Sequence, residues 1–163
     1  MFEIKKFLKK HKKIIIKPIH SYGGNDINLI SGKLNLLKIK QILKKHGHIM
    51  CQKFLNKIKF GDKRVFIING KVCGAISRVP KSGSILSNMS KGAKPKIAFL
   101  SNKELKVSNI IAKKIKKDGI YFAGIDFIDG KLNGDINVTS PTGIKTYFDL
   151  SQINLAKTFW KGL

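Results

Sequence analysis

Two dipeptides, Asn69-Gly70 and Asp129-Gly130, each stand between runs of apolar and β-branched residues, and no other feature constrains this chain as much. Both residues of such a pair tolerate positive φ, which the tight turns of two-residue β-hairpins require. The flanks therefore read as antiparallel strands: Arg64 to Ile68 with Lys71 to Val79, and Tyr121 to Ile128 with Lys131 to Val138.

The remaining elements follow from spacing. Phe2, Ile4, Phe7 and Leu8 recur at helical intervals, so an amphipathic helix over Phe2 to His11 opens the chain. Ile14 to Lys17 is a β-branched run ended by Pro18, the polar stretch from His20 to Asp26 is a loop, and Ile27 to Ile30 returns as the paired strand. Leu34, Leu37, Ile39, Ile42 and Leu43 mark a helix stopped by Gly47, and Ile49 to Leu55 is extended. Pro80 to Lys96, rich in Ser, Gly, Lys and Pro, reads as a long mobile loop. A helix over Asn102 to Lys117 ends at Asp118-Gly119, and Gln152 to Trp160 forms a last helix. This order implies an α+β fold with antiparallel sheets rather than a doubly wound parallel one.

Charge narrows the function classes. Lys and Arg number 33 against 9 Asp and Glu, for a net charge of +24, which invites a polyanion partner. Yet Arg64 and Arg78 are the only arginines, and the lysines are spread along the whole chain. Nucleic-acid readers favour arginine for its bidentate fork, so a dedicated nucleic-acid role is disfavoured. The survival of arginine at these two positions suggests instead that a fork is needed there. No Gly-x-x-x-x-Gly-Lys-Ser/Thr occurs, and His46, His48 and Cys51 lack a fourth ligand at zinc-finger spacing. Cys51 and Cys73, each in an apolar run, read as reduced buried thiols. No apolar run approaches the roughly 20 residues of a spanning helix, and the basic start lacks a signal peptide's apolar stretch. A cytoplasmic protein with no membrane role is expected.

Asp126, Asp135 and Asn137 form the sharpest chemical constellation. Across the Asp129-Gly130 turn Asp126 comes near Asp135, and Asp135 and Asn137 share a strand face because the side-chain period is two. Two carboxylates and an amide oxygen suit Mg²⁺, a hard ion commonly shared with substrate phosphates. From spacing alone, the same residues also fit the solvent face of the hairpin.

The neighbouring residues add a resemblance. Gly124-Ile125-Asp126 followed by Asp135-Ile136-Asn137-Val138-Thr139-Ser140-Pro141-Thr142 resembles the end of bacterial glutathione synthetases. Ile16-Lys17-Pro18 with Gly23-Gly24 resembles that family's Lys-Pro strand and glycine-rich loop, and Gln52-Lys53-Phe54-Leu55 its adenine-side hinge. Gly61-Asp62-Lys63-Arg64-Val65 and Arg78-Val79-Pro80 match further family segments in the same order, with Asn88 and Gly92 in the loop that follows. The similarity covers almost the whole chain.

The resemblance implies an ATP-grasp-type fold with antiparallel sheets in two small lobes and flanking helices: a nucleotide-clamping lobe over residues 1–60, and a metal- and substrate-binding lobe over 61–163. It implies ATP-dependent formation of glutathione from γ-glutamylcysteine and glycine through an acyl phosphate. ATP would be held by Lys17, Gly23, Gly24, Gln52, Lys53, Phe54 and Leu55; Mg²⁺ or Mn²⁺ by Asp126, Asp135 and Asn137. Arg64 and Arg78 would carry the developing charge, and Asn88, Ser140, Pro141 and Thr142 the substrate. The chain departs from the family pattern at Ser84, Leu86 and Lys145, and Asp135 stands where the family has Glu, with an extra residue at Asn133-Gly134 that a bulge would absorb. The family's N-terminal part has no counterpart here, so a separately encoded half or a homo-oligomer is the expected partner, and the chain alone is expected to make no glutathione. The alternatives are another ATP-grasp carboxylate-amine ligase or a basic nucleic-acid-binding protein.

Overall fold

The computed structural model describes residues 2–21 and 23–162, with 133 and 134 by backbone alone. It forms two compact units, Met1–Asn56 and Lys57–Leu163.

The first unit runs α1 (Phe2–His11), β1 (Lys13–Pro18), β2 (Asn28–Ser31), α2 (Leu36–His46) and β3 (Ile49–Lys53). Its three strands pair antiparallel in the order β2-β1-β3. Alternation along β1 buries Ile14 and Ile16 against Leu8 of α1, Ile30 of β2 and Ile39 of α2. The second helix starts later than the apolar spacing suggests, because Asn35 caps it by accepting from the Lys38 N–H at 3.0 Å. It ends where Gly47, at φ 72°, returns its N–H to the Leu43 carbonyl.

The second unit contains β4 (Asp62–Ile68), β5 (Lys71–Val79), β6 (Lys94–Ile97), α3 (Asn102–Lys117), β7 (Phe122–Ile128), β8 (Lys131–Asn137), α4 (Ile144–Ser151) and α5 (Leu155–Trp160). The strands form one antiparallel sheet in the order β6-β5-β4-β7-β8. Both Xaa-Gly pairs make the turns their sequence predicts, with positive φ at Asn69, Gly70, Asp129 and Gly130. One sheet face packs Val65, Ile67, Ala75, Ala123, Ile125 and Phe127 on Ala112 and Ile115 of α3. The other packs Phe66, Ile68 and Ile76 on Tyr147 of α4 and Leu155 of α5. The third helix opens on a capping box, Ser101 with Glu104, and the buried Glu104 also accepts from Lys63 Nζ at 2.8 Å.

Three sequence expectations need correction. The stretch Pro80 to Lys96 is not loop throughout, since its last three residues, from Lys94, belong to β6 and pair with β5, and Ala93 is buried. Pro95 hid this strand, but at a sheet edge proline removes no ladder bond that a further strand would need. The last helix is two helices: Gln152, at φ 61°, ends α4, and Asn154 caps α5 by accepting from the Lys157 N–H. Cys51 and Cys73 are free but only half-buried, and burial raises both thiol pKa values. Among the described residues no helix is long and apolar enough to cross a membrane.

Gly74 of β5 lets Tyr147 lie against the sheet, since a Cβ there would come within 2.5 Å of the ring. Gly74→Ala is expected to destabilise the second unit by about 1–3 kcal/mol through overpacking. Urea denaturation followed by circular dichroism measures this; an unchanged midpoint would show that the ring is free to move aside.

Candidate functional site

The even-numbered residues of β4 share the face that carries Phe66 and Ile68, so Asp62 and Arg64 lie on it too. Register sets their partners: Asp62 is opposite Arg78 of β5, and Arg64 is opposite Asp126 of β7. All four are buried, at 3%, 5%, 5% and 4% exposure for Asp62, Arg64, Arg78 and Asp126, which places two cations and two anions in a dry setting. They bond as one chain. Arg64 grips Asp126 with both arms of its fork, Nε to Oδ1 and Nη2 to Oδ2 at 2.8 Å. Arg78 Nη2 donates to the same Oδ2 at 2.9 Å, while its Nε donates to Asp62 Oδ1 at 2.8 Å. Ser87 Oγ closes the far end on Asp62 Oδ2 at 2.6 Å. Such forks need arginine, because an ammonium cannot bond two oxygens in parallel.

Gly124 makes room for this arrangement. A Cβ there would come within 2.8 Å of Arg64 Cδ and 3.2 Å of Pro141 Cβ. The segment after β8 thus lies over the same face, and the Thr142 carbonyl accepts from Arg64 Nη1 at 3.4 Å.

Burial alone would raise both carboxylate pKa values, but the outcomes differ. At Asp126 desolvation is outweighed by the hydrogen bonds and charges of Arg64 and Arg78, and the carboxyl is held below the usual range. At Asp62 desolvation wins over the bonds from Arg78 and Ser87, helped by the negative charge of Asp126, and the pKa is raised. Burial would lower the Arg78 pKa, yet the two aspartates raise it, so it stays charged.

Beside this cluster β8 is bulged. Ile125 faces Ile136 and Phe127 faces Leu132, so residues 133–135 together oppose Asp126 alone. Asp135 sits in that bulge with an exposed side chain. Asn137 lies opposite Gly124, on the face of Asp126, and its Oδ1 accepts from the Ser140 N–H at 3.1 Å and the Thr139 N–H at 3.2 Å. Among the described residues no group of three or more His, Cys, Asp or Glu is placed to hold a metal ion. Register brings Asp135 and Asn137 of β8 to the strand beside Asp126, and carboxylate and amide oxygens are the donor types that a small hard cation takes. Ser140 and Thr142 are exposed, Pro141 is half-buried, and the Asn88 carbonyl opens a 3₁₀ turn by accepting from the Lys91 N–H at 2.9 Å.

In the first unit, Lys17 is half-buried on β1 opposite Met50. Gly23 and Gly24 both adopt positive φ, 67° and 75°, in the β1–β2 loop, a backbone conformation that glycine takes without strain. Asp26 ties this loop to the end of α2, accepting from Lys45 Nζ at 3.1 Å with His46 Nε2 equally near. Gln52 and Lys53 pair with Ile15 and Ile14, and Phe54 and Leu55 follow half-buried.

Sequence reasoning missed Asp62 and Ser87. Asp62 was findable, two residues before a conspicuous arginine and so on its face; nothing local marks Ser87.

Comparison with known proteins gives a consistent picture. The model of the prokaryotic glutathione synthetase ATP-grasp domain matches residues 1–152. The glutathione synthetase of Synechocystis sp. is 33% identical over 94% of this chain and 49% of its own, and that of Rhodopseudomonas palustris is 34% identical over 97% and 51%. The chain thus spans about half the length of the curated relatives it matches. Among solved structures, the ATP-grasp ligase PsnB complexed with minimal precursor, Mg and ADP superposes with TM-score 0.63 at 17% identity, over 98% of this chain and 49% of that one. The D-alanine–D-alanine ligase of Bacillus anthracis gives TM-score 0.56 at 13% identity, over 83% and 46%. These two likenesses concern the fold.

Because Asp126 is buried between two guanidinium groups, Asp126→Asn does not leave the fold untouched. It is expected to cost about 3–5 kcal/mol, the penalty of stranding buried charge. The pH dependence carries a sign: a folded pKa below the unfolded one stabilises above pH of about 4 and loses that stabilisation as pH falls through the folded value. The raised Asp62 works in the opposite direction. Denaturation of the wild type and Asp126→Asn from pH 7 to 3 is expected to show a smaller acid-induced loss in the variant; equal losses would mean that Asp126 does not link folding to pH.

Proposed function

This chain belongs to the prokaryotic glutathione synthetase ATP-grasp family, and on that premise we propose that it serves the ATP-dependent joining of γ-glutamylcysteine to glycine. The observation that carries this reading is the pair of buried guanidinium groups on Asp126, beside the oxygen donors of β8. A phosphoryl-transfer site needs fixed positive charge for phosphate oxygens and fixed oxygens for a divalent cation, both preorganised before reaction. The peptide carboxylate attacks the γ-phosphorus, ADP leaves, and the acyl phosphate formed is attacked by the glycine amine with release of phosphate.

Within the first unit, Lys17 and the backbone of Gly23 and Gly24 bind phosphate, while Phe54 and Leu55 wall the adenine and the chain at Gln52 and Lys53 reads its edge. Within the second, Asp126, Asp135 and Asn137 hold Mg²⁺ or Mn²⁺. When bound, that ion neutralises phosphate charge and acts as a Lewis acid. Arg64 and Arg78 face the charge that develops on the transferred group, and Asn88, Ser140, Pro141 and Thr142 contact the substrate peptide.

Isothermal titration with Mg²⁺-ATP tests the assignment without disturbing the buried cluster, because Asp135 is exposed. Asp135→Asn and Asn137→Ala are each expected to keep the fold and weaken Mg²⁺-ATP binding by about tenfold or more, as disturbed metal sites commonly do. ADP release with γ-glutamylcysteine and glycine, measured with and without an added N-terminal fragment from a related glutathione synthetase, then identifies the substrate; turnover is expected only with the fragment. No affinity of the wild-type chain for Mg²⁺-ATP, or unchanged affinity in both variants, would remove the basis for this function.

A further inference from the structure

The cluster on the second sheet is charge-balanced as it stands. Arg64 and Arg78 carry two positive charges, Asp62 and Asp126 two negative ones, and all four are buried. Asp126 accepts three charge-assisted bonds from the two guanidinium groups, so most of its acceptor capacity is spent inside the protein. A divalent cation approaching it meets both guanidinium groups, one on each neighbouring bond, in a low-dielectric setting where like charges repel strongly. The other donors do not offset this: Asp135 is exposed, and the Asn137 oxygen already accepts from two backbone N–H groups.

We propose that Arg64 and Arg78 act as internal counter-ions that deny Asp126 to a divalent cation until a polyphosphate takes over their charge. Cation binding and anion binding at this site are then coupled: the anion's oxygens occupy the guanidinium groups, the Asp126 carboxylate is released towards the β8 donors, and net charge returns to balance with the ion bound. Reciprocity follows, since a cation that needs the anion must in turn tighten it. Ser87 and Asp62 hold the far side of Arg78, so the side chain can loosen from Asp126 while staying anchored. This inference rests on the reading that Asp126 is a cation ligand, and it adds that its neighbours decide when it becomes one.

The two claims separate in a nucleotide-free titration of the full chain with Mn²⁺ alone, following the free-ion signal by electron paramagnetic resonance. Wild type is expected to bind Mn²⁺ weakly. Arg78→Met, which removes one counter-ion, is expected to bind it tighter on the order of tenfold or more, as unbalancing one nearby unit charge implies, while losing affinity for ATP. A purely structural counter-ion would also raise cation affinity when deleted, so the gain of Mn²⁺ affinity together with the loss of ATP affinity is the readout that a structural role would not give. Arg64→Met is the second variant, with circular dichroism to establish its fold. If both variants unfold, the wild type decides: weak nucleotide-free Mn²⁺ binding supports the coupling, and tight binding abolished by Asp135→Asn overturns it while sparing the metal-site assignment. Tight binding by the wild type equal to that of a folded Arg78→Met overturns it as well. If Mn²⁺ binds no variant and Mg²⁺-ATP does not bind the wild type, the metal assignment fails and this inference with it.

Discussion

The fork of Arg64 on Asp126, extended through Arg78 to Asp62, is the constraint around which the second unit is organised. Burying one charge in a sheet face costs several kcal/mol, and burying four is tolerable only when each lies within bonding distance of its opposite. Antiparallel register supplies the two charge pairs, because Asp62 faces Arg78 and Arg64 faces Asp126 directly. The neighbouring parts accommodate it. Gly124 leaves space for the Arg64 stem, and the carbonyl of Thr142 takes a remaining donor. The same face is apolar further along, where Phe66, Ile68 and Ile76 meet α4 and α5, so each strand of this face changes from structural to chemical within one or two residues.

How much of this was legible depended on whether the cause was local. The hairpins at Asn69-Gly70 and Asp129-Gly130 were readable because their turns require particular residues. The third helix was readable because its apolar period and its Asp118-Gly119 ending are local signals. The sixth strand was not, since its cause is a free edge on β5 that no residue of Lys94–Ile97 announces. Nor was the break at Gln152, a non-glycine residue in left-handed backbone. At the site, Arg64 and Arg78 could be picked out by composition. That they spend their forks on carboxylates of the same sheet could not, because partnership across strands is a matter of register, and a shift of one residue would have sent every one of these side chains to the other face.

The first unit shows a looser kind of determination. Its core comes from simple alternation on β1, whereas its loop of interest is set by two glycines, the Ser21 hydroxyl donating to the Asn25 carbonyl at 3.1 Å, and exposed Asp26 beside Lys45 and His46. Exposed pairs of this type contribute little to stability, so the loop is placed but weakly held. The cluster of the second unit is buried and held by charge-assisted bonds at every member.

The two margins of the five-stranded sheet share a property unrelated to ligands. On β6, Pro95 interrupts the outer row of donors, and on β8 three residues crowd against one, so the ladder loses step half-way along. Neither margin offers the flat, regular row of N–H and C=O groups on which a foreign strand could dock. For a chain whose sheet exposes Leu132, Ile136 and Val138 near one margin, the distortion at Asp135 therefore also protects against aggregation.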